Sequence, residues 1–309
     1  MKNRFNISYI ICTKNRLAFL KILFAEFLNH CQPDEEIVVI DGNSSDGSKE
    51  FLQDLFNGGK IHQFVSEPDK NQAHGWNKGL LLANGTVIKK LIDDDVHSLA
   101  AIRRCTGFML KNPLVDICIS NGLTTDLAMP QQISISSRLK YYEAWRNGES
   151  ACFTFNDVYM LVRKSALSYL GLYDTQFAMM DWEYSLRCSY LKANIAYYTG
   201  YNALSVGTPG NVTSATNAAR LKFEGRIGRE KYGYKGDRSD ISLYSELKIA
   251  VGKTINYKAG KGVTPSEDWQ MPAGEQLAAV YNNFYKALEQ YNEPGDFVFY
   301  LIDEKAGQN

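Results

Sequence analysis

Residues 90–95 of the chain read Lys-Leu-Ile-Asp-Asp-Asp, so that three acids, Asp93, Asp94 and Asp95, directly follow an apolar run that begins at Val87. The run has the length and the β-branched content of a buried strand. Three adjacent carboxylates repel one another, so a fold keeps them together only where something offsets their charge. A hard divalent cation such as Mg²⁺ or Mn²⁺ is the usual remedy. The alternative interpretation is an acidic loop that caps the next helix.

Strands and helices alternate from the start of the chain to this triplet. Apolar runs separated by helical patterns occupy residues 7–12, 36–40, 61–65 and 86–92. This alternation is typical of an α/β fold with a largely parallel central sheet flanked by helices. The run at 36–40 is almost continuously apolar, as expected of a strand that is covered on both faces.

A polar cluster follows each of the four predicted strands. The clusters occupy residues 13–16, 41–46, 66–70 and 93–95. In sheets of this kind, ligands bind outside the carboxyl ends of the strands. Any single cluster is explained by an ordinary turn, but four of them at the same end of the sheet favour a binding site that includes the triplet.

The pattern changes in the second part of the chain. Strands are predicted at 115–120 and 195–206, with an edge strand around residues 133–135. Helices are predicted at 139–145, 164–170, 181–192 and 218–232, and residues 151–162 are rich in aromatic and β-branched side chains. A Gly-, Pro- and Ser-rich loop at 207–216 is either a linker or a lid that closes over a diphosphate together with the basic helix after it. We expect one domain at 1–235, with halves at 1–112 and 113–235, and a mainly helical extension at 236–309 that contains helices at 241–251 and 274–291.

Composition excludes several classes of protein. The chain has 309 residues, 45% of them hydrophobic, and 34 basic residues balance 34 acidic ones, so nothing indicates a nucleic-acid partner. The six cysteines form no Cys-x-x-Cys pair, which argues against a zinc or redox motif and favours buried, reduced thiols. We see no signal peptide and no run of about 20 apolar residues for a membrane span. The expected location is therefore the cytoplasm.

Four segments together resemble glycosyltransferase family 2, whose members are inverting enzymes with the GT-A fold. The segments are residues 8–16 with Thr-Lys-Asn-Arg, 36–48 with Asp-Gly-Asn-Ser-Ser-Asp-Gly, 66–85 with Ser-Glu-Pro-Asp, Asn-Lys-Gly and Ala-Asn-Gly, and the triplet at the position of the family's Asp-x-Asp motif. The likeness is clear over about the first hundred residues, looser to about residue 232, and absent beyond.

The resemblance implies a donor site for a nucleotide-sugar, with a UDP-sugar favoured. Its implied donor-binding residues are Thr13, Asn15, Arg16, Asp41, Asp69, Asn77, Lys78, Asp93 and Asp94. Asp93 and Asp95 would bind Mn²⁺ or Mg²⁺, with Asp95 the better candidate and the middle acid, Asp94, pointing away from the metal. Lys78 either approaches phosphate or is a solvated helix residue. Gly42 replaces an acid that the family often has, which leaves the choice of base open.

The acceptor hydroxyl needs a proton acceptor, normally a carboxylate. The segment 179–187, Met-Met-Asp-Trp-Glu-Tyr-Ser-Leu-Arg, falls at the family's spacing after the Gly-Leu-Tyr-Asp loop and implies Asp181 as the base, with Glu183 as the alternative. A helix N-cap is the structural interpretation of Asp181. Trp182 is either a platform for an acceptor sugar or a core residue.

The sequence thus predicts a metal-dependent, inverting, hexosyltransferase-type enzyme that moves a sugar from a nucleoside diphosphate to a hydroxyl of a saccharide or lipid-linked acceptor. A lipid-linked acceptor would bring the protein to the inner face of the membrane as a peripheral partner. The main alternative is a non-catalytic, nucleotide-sugar-binding scaffold subunit. A sugar nucleotidyltransferase fits less well, because residues 13–16 lack the glycines of a phosphate loop. Nothing in the sequence indicates an oligomeric state.

Overall fold

The computed structural model describes residues 5–209, 218–236 and 270–301. The predicted helix at 241–251 and most of the predicted loop at 207–216 lie outside these ranges. The six cysteines all fall within them and are free, and four are buried.

The first half of the chain alternates strands and helices as predicted. Its elements are β1 (Ile7–Thr13), α1 (Leu17–Leu28), β2 (Glu35–Asp41), α2 (Ser48–Asn57), β3 (Gln63–Ser66), α3 (Gln72–Leu82), β4 (Val87–Lys90), β5 (Val96–His97) and α4 (Leu99–Lys111). The second half contains β6 (Ile117–Asp126), β7 (Met129–Ser136), α5 (Leu139–Arg146), β8 (Met160–Arg163), α6 (Leu167–Leu170), α7 (Met180–Tyr190), β9 (Ile195–Gly207), α8 (Ala218–Tyr232), α9 (Gly274–Asn292) and β10 (Phe299–Tyr300).

All these strands join one sheet, in the order β10-β9-β6-β8-β4-β1-β2-β3, with β5 paired to β9 and β7 to β6. The four strands β3, β2, β1 and β4 are parallel, whereas β8 runs antiparallel between β4 and β6. The predicted α/β class with a flanked central sheet is confirmed. Antiparallel pairing involves strands of the second half of the chain, and the short β5 of the first half joins them by pairing with β9.

Strand register brings the predicted polar clusters to one edge. Thr13 pairs with Asp41 and Asp41 with Ser66, so β1, β2 and β3 end side by side. Lys90 pairs with Ile10, which brings the next turn of chain, with Asp93, level with the end of β1. The edge therefore forms because parallel strands that are covered on both faces share one register.

Helices cover both faces of the sheet. On one face, α1 and α4 contribute Phe24 and Ile102 to a core that includes alternate residues of β1 and β2. On the other face, α3, α5 and α7 contribute Trp76, Tyr142 and Tyr184. Burial on both faces explains why all seven residues of β2 are buried.

Residues 270–301 are integrated with this fold. Helix α9 packs through Leu277, Tyr281 and Phe284 against Phe19 of α1 and Leu204 of β9. Strand β10 extends the sheet by antiparallel pairing with β9. Within the described ranges, no helix combines the length and the apolar character that a membrane crossing requires.

Two segments of the second half show how aromatic residues fill the core. The segment 151–162 is mostly irregular and only its end enters β8, because Phe153 and Phe155 fill the core from a loop. The late strand is unbroken from 195 to 207, and a shift in its register against β6 near Asn121 accommodates the Thr199-Gly200 pair. Aromatic residues fill the core from loops as well as from strands, so their β-propensity alone does not predict a strand.

Close packing against β1 explains why glycine ends the Ala-Asn-Gly segment at position 85. A Cβ on Gly85 would lie 2.5 Å from the Ser8 nitrogen and 2.6 Å from the Ile7 carbonyl carbon, in the backbone of β1. We expect Gly85→Ala to lower the free energy of unfolding by about 3 kcal/mol, measured by urea denaturation. Gly107, inside α4, has open space around it. Gly107→Ala is the matched control and should stabilise the protein by about 0.5–1 kcal/mol; equal losses in both variants would contradict this account.

Candidate active site

A cavity of about 990 Å³ opens at the carboxyl ends of β1 and β4. The acidic triplet and residues 12–16 line it, as do Asp69, Asp157 and Asp181. The fold therefore gathers the triplet and Asp181, 86 positions apart at their nearest, around one space.

The loop after β1 fixes two acids of the triplet. The Thr13 hydroxyl donates to Asp93 Oδ2 at 2.6 Å. Arg16 places Nε 3.4 Å from Asp93 Oδ1 and forms an ion pair with Asp94 through Nη2. Thr208, just after β9, donates to the same Asp94 oxygen. Asp94 also lines the cavity, with its carboxylate bound to a cation of the protein.

Later parts of the chain hold the remainder of the triplet. The Val206 amide in β9 donates to Asp95 Oδ1 at 2.7 Å. The Tyr281 hydroxyl in α9 donates to the Asp94 carbonyl at 2.7 Å. The backbone and the carboxylates are thus fixed from both sides, which preorganises the loop.

Burial and mutual repulsion dominate the electrostatics of the triplet. Desolvation and the neighbouring Asp94 raise the pKa of Asp93 to about 6, while Arg16 opposes the rise. The same two causes raise the pKa of Asp95, and the buried Lys89 ammonium acts in the opposite direction. Burial in turn lowers the pKa of Lys89 to about 7. Arg16 and Lys89 therefore offset part of the negative charge of the triplet. From the sequence, a metal ion alone had been expected to offset that charge.

The triplet fits a hard divalent cation as a partial ligand set. Asp93 and Asp95 supply carboxylate oxygens at the cavity surface, which suit Mg²⁺ or Mn²⁺. Among the described residues, no cluster of three or more His, Cys, Asp or Glu side chains is arranged to hold a metal. A cation held here would need ligands from outside the chain, and diphosphate oxygens are of the right kind.

Asp181 lies in the first turn of α7 and lines the same cavity. Desolvation and the nearby Asp157 raise its pKa to about 6, and Lys90 opposes them. The cap residue of α7 is Met179 rather than Asp181. The start of α7 is instead satisfied by Glu224 of α8, whose carboxylate accepts from the Ala178 and Met179 amides at 2.9 Å.

Glu183 and Trp182 lie outside the cavity lining. Glu183 is fully buried, accepts two hydrogen bonds from Arg187 at 2.9–3.0 Å and one from the Tyr232 hydroxyl. Trp182 packs against Gly228 of α8 and edge-on to Tyr234. The structure thus places Glu183 in a bracing network, and Trp182 in a packing contact, which is one of the two roles predicted for it.

The predicted donor residues divide into two groups. Thr13, Asn15, Arg16, Asp69 and the triplet line the cavity. Asp41, Asn77 and Lys78 do not.

The second group is engaged in holding loops. Asp41 accepts hydrogen bonds from Ser44 and from the Ser66 hydroxyl. Asn77 exchanges two hydrogen bonds with the Tyr173 backbone, at 2.8 and 2.9 Å.

Lys78 supports the donor side of the cavity indirectly. Its ammonium bridges Glu67 at 2.8 Å and Asp69 at 2.6 Å, so it positions the cavity residue Asp69 rather than facing the cavity itself. Lys78 is therefore not a solvated helix residue, and its contact with phosphate stays a prediction.

The basic helix α8 was predicted either to close over a diphosphate with the loop before it or to be an ordinary solvated helix. Arg220 of α8 forms an ion pair with Glu224 at 2.8 Å, and Arg226 lies 3.8 Å from Glu230. These arginines are more than half exposed. The described contacts thus follow the pattern of a solvated helix with internal ion pairs, and the lid itself falls mostly outside the described ranges.

Two cavity residues were missed by the sequence interpretation. Lys90, the last residue of β4, forms an ion pair with Asp157 from a three-residue 3₁₀ turn before β8. A lysine inside a buried apolar run is itself a signal of a buried partner. Asp157 carries no local signal, because its role depends on a partner 67 residues earlier.

Tyr281 provides a test of how α9 supports the site. We expect Tyr281→Phe to lower the free energy of unfolding by about 1–2 kcal/mol, because the buried Asp94 carbonyl loses its donor. Tyr285→Phe, one turn later on the same helix, is the matched control and should change stability less. A chemical denaturation series measures both, and an equal response would show that the hydrogen bond to Asp94 contributes nothing specific.

The mixed α/β sheet, with the acidic triplet beside the end of its fourth strand and Asp181 on the same cavity, has the architecture of a GT-A-type transferase. The family model for glycosyl transferase family 2 matches residues 8–171, more than half of the chain. The chain belongs to this family and is a glycosyltransferase, as the sequence predicted.

Individual relatives are distant. An uncharacterized glycosyltransferase of Haemophilus influenzae is 24% identical over 258 residues, which are 82% of this chain and 98% of the relative. A poly-beta-1,6-N-acetyl-D-glucosamine synthase of Staphylococcus epidermidis is 24% identical over 196 residues, which are 62% of this chain. The matched part spans only about half (47%) of that synthase.

Solved structures share the fold. Residues 1–349 of S. aureus TarS, in complex with UDP-GlcNAc, align with a TM-score of 0.59 at 14% identity, over 93% of this chain and 83% of that one. The mannosyltransferase PcManGT of Pyrobaculum calidifontis, in complex with GDP-Man and Mn²⁺, aligns with a TM-score of 0.51 at 15% identity, over 96% and 89%. These likenesses support the GT-A architecture.

Proposed function

We propose that this glycosyltransferase moves a hexosyl group from a nucleoside diphosphate, with UDP favoured, to a hydroxyl of a saccharide or lipid-linked saccharide, with inversion at the anomeric carbon. The observation that carries the proposal is the shared cavity, which brings the acidic triplet and Asp181 around one space. Two separate carboxylate functions are what such a displacement needs, one at the leaving group and one at the incoming hydroxyl.

The chemistry follows from where charge appears. The acceptor oxygen forms a bond to the anomeric carbon as the bond to the diphosphate oxygen breaks, and the electron pair of that bond leaves with the phosphate. The proton of the acceptor hydroxyl passes to Asp181. A Mn²⁺ or Mg²⁺ ion held by Asp93 and Asp95 would supply positive charge to the leaving diphosphate. Arg16, fixed beside the triplet, adds a second cation on that side.

The comparisons support the donor class at the level of the family. TarS was solved with UDP-GlcNAc and PcManGT with GDP-Man and Mn²⁺, and a distant relative is a poly-N-acetylglucosamine synthase. The same proposal includes a cytoplasmic location and, where the acceptor is lipid-linked, peripheral contact with the inner face of the membrane.

The proposal is tested by incubating purified full-length protein with UDP-GlcNAc, UDP-glucose or GDP-mannose. Release of nucleoside diphosphate is measured with Mn²⁺, with Mg²⁺ and with EDTA. We expect slow hydrolysis of one donor with a divalent cation and none with EDTA. Tight nucleotide binding without turnover against a panel of saccharide acceptors would instead favour the scaffold subunit, and formation of a nucleotide-sugar from a sugar phosphate and UTP would favour the nucleotidyltransferase.

A further inference from the structure

Lys90 lines this cavity with a side chain that is charged and almost completely buried. It ends a buried strand, its side chain is only 3% exposed, and its ammonium is hydrogen-bonded to Asp157 Oδ2. The same ammonium lies 4.2 Å from the centre of the Trp76 ring and 4.9 Å from that of the Tyr173 ring. A cation placed over two aromatic faces and against one carboxylate is held in a single position.

Asp157 is equally constrained. It opens the 3₁₀ turn that Asn156 caps, is almost completely buried, and its Oδ2 also accepts from the Tyr173 hydroxyl at 2.7 Å. Lys90 and Asp157 line the same cavity as Asp181. The proposed base thus shares its surroundings with one fixed cation and one fixed anion.

The charged and titratable groups around Asp181 come from four segments of the chain. From β4, Lys90 favours its ionised form, and from the 3₁₀ turn Asp157 disfavours it. From the loop before α7, Tyr173 lies within electrostatic range, although its hydroxyl is bound to Asp157. From α8, Glu224 is occupied by the amides at the start of α7. Lys90 is thus the group of opposite charge that acts on Asp181.

We propose that Lys90, held in place by Asp157, is a positioning residue that keeps Asp181 ionised so that it accepts the proton of the acceptor hydroxyl. This proposal rests on the function proposed above. An ordinary buried ion pair gains little net stability once the desolvation of both charges is counted. A functional use explains why this pair stands at the wall of the reaction cavity instead of a pair of apolar residues.

The test compares the pH dependence of kcat/KM in the wild type, Lys90→Met and Asp157→Asn, with Asp54→Asn on the exposed face of α2 as the matched surface control. Lys90→Met removes the cation, so the midpoint of the acid limb should rise by about one pH unit or more. Asp157→Asn removes a like charge and releases Lys90 towards Asp181, so the midpoint should fall. The control should leave the profile unchanged.

Displacements of opposite sign support the proposal, because a loss of packing lowers rates without moving midpoints in two directions. Unchanged midpoints, or displacements of the same sign, overturn it. If Lys90→Met does not fold, as judged by its thermal unfolding, Lys90→Gln replaces it, because the amide keeps a hydrogen-bond donor for Asp157 without the charge. A midpoint that stays or falls in Lys90→Gln overturns the proposal.

A different variant distinguishes failure of the proposed function from failure of the proposal about Lys90. If Asp181→Asn retains the wild-type rate and acid limb, the assignment of the base is wrong. The ionisation of Asp181 is also measured without turnover, from the pH dependence of the free energy of unfolding of each protein compared with the same protein carrying Asp181→Asn. The pH at which the unfolding free energy of each protein departs from that of its Asp181→Asn counterpart should shift in the same direction as the midpoint of the acid limb of kcat/KM.

Discussion

Asp181→Asn is expected to lower kcat for sugar transfer by about 10²–10⁴-fold, because the acceptor hydroxyl loses its proton acceptor. In the wild type the pKa of this carboxyl is raised to about 6 by burial and by Asp157. Since only the ionised form accepts a proton, kcat/KM should rise with pH through about 6 and then level off. Initial rates of nucleoside diphosphate release between pH 5 and 8, with a defined acceptor present, measure both effects.

Stability provides the internal control for Asp181→Asn. The pKa of an acid raised from 3.8 to about 6 on folding means that the folded state binds this proton more tightly than the unfolded chain. The contribution of this group to the free energy of unfolding therefore falls as the pH rises from about 4 to about 6, and stays low above that range. The asparagine variant carries no such charge, so at pH 7 it should be more stable than the wild type by about 3 kcal/mol.

An inactive variant that is at least as stable as the wild type would assign the loss to chemistry. Wild-type rates in Asp181→Asn would contradict the role of Asp181. An inactive but markedly destabilised variant would contradict the predicted cost of the buried charge.

Asp95→Asn is the second substitution with a large expected effect. Its carboxylate lines the cavity, and its pKa is raised by burial and by the adjacent Asp94. Replacing it removes a negative oxygen ligand where we place the cation, so transfer should fall by at least about 10²-fold, as for other lost stabilisers of developing charge. Mn²⁺ binding, measured by the electron paramagnetic resonance signal of free Mn²⁺ in the presence of UDP, should weaken in parallel.

Asp54→Asn, in exposed α2, is the matched carboxylate-to-amide control and should preserve both Mn²⁺ binding and activity. If Asp95→Asn retains Mn²⁺ affinity and loses only activity, Asp95 does not bind the metal. If it retains full activity with EDTA present, the metal-dependent mechanism is excluded for this protein.

The first half of the fold was predictable because its signals are local. Each apolar run and its following turn lie within about 30 residues, and the parallel register then brings Thr13, Asp41 and Asp93 to one edge without further information. The position of the triplet in the cavity follows from the same rule. The sequence was less informative after residue 112, where aromatic residues serve the core from loops and strands alike.

The sequence could name candidate cavity residues where they follow a strand or a motif, but it could not say which neighbours reach the cavity. Asp181 and Glu183 are two positions apart on α7, which corresponds to about 200° around a helix, so one reaches the cavity and the other is buried. The order of residues in the motif does not show which of the two faces the cavity. The Lys90–Asp157 pair was missed for the opposite reason, because it joins residues that no motif connects.

The contact between Tyr281 and Asp94 spans 187 residues, and β10 completes the sheet later still. During synthesis, β1 to β4 and the triplet emerge long before α9 exists. Until then, the Asp94 carbonyl lacks its hydroxyl donor and the apolar side chains of α1, β5 and β9 that α9 covers are open to water. Contacts this distant in sequence form slowly, which exposes such surfaces to aggregation. Recombinant forms shortened before residue 274 should accordingly be more dependent on chaperones than the 309-residue chain.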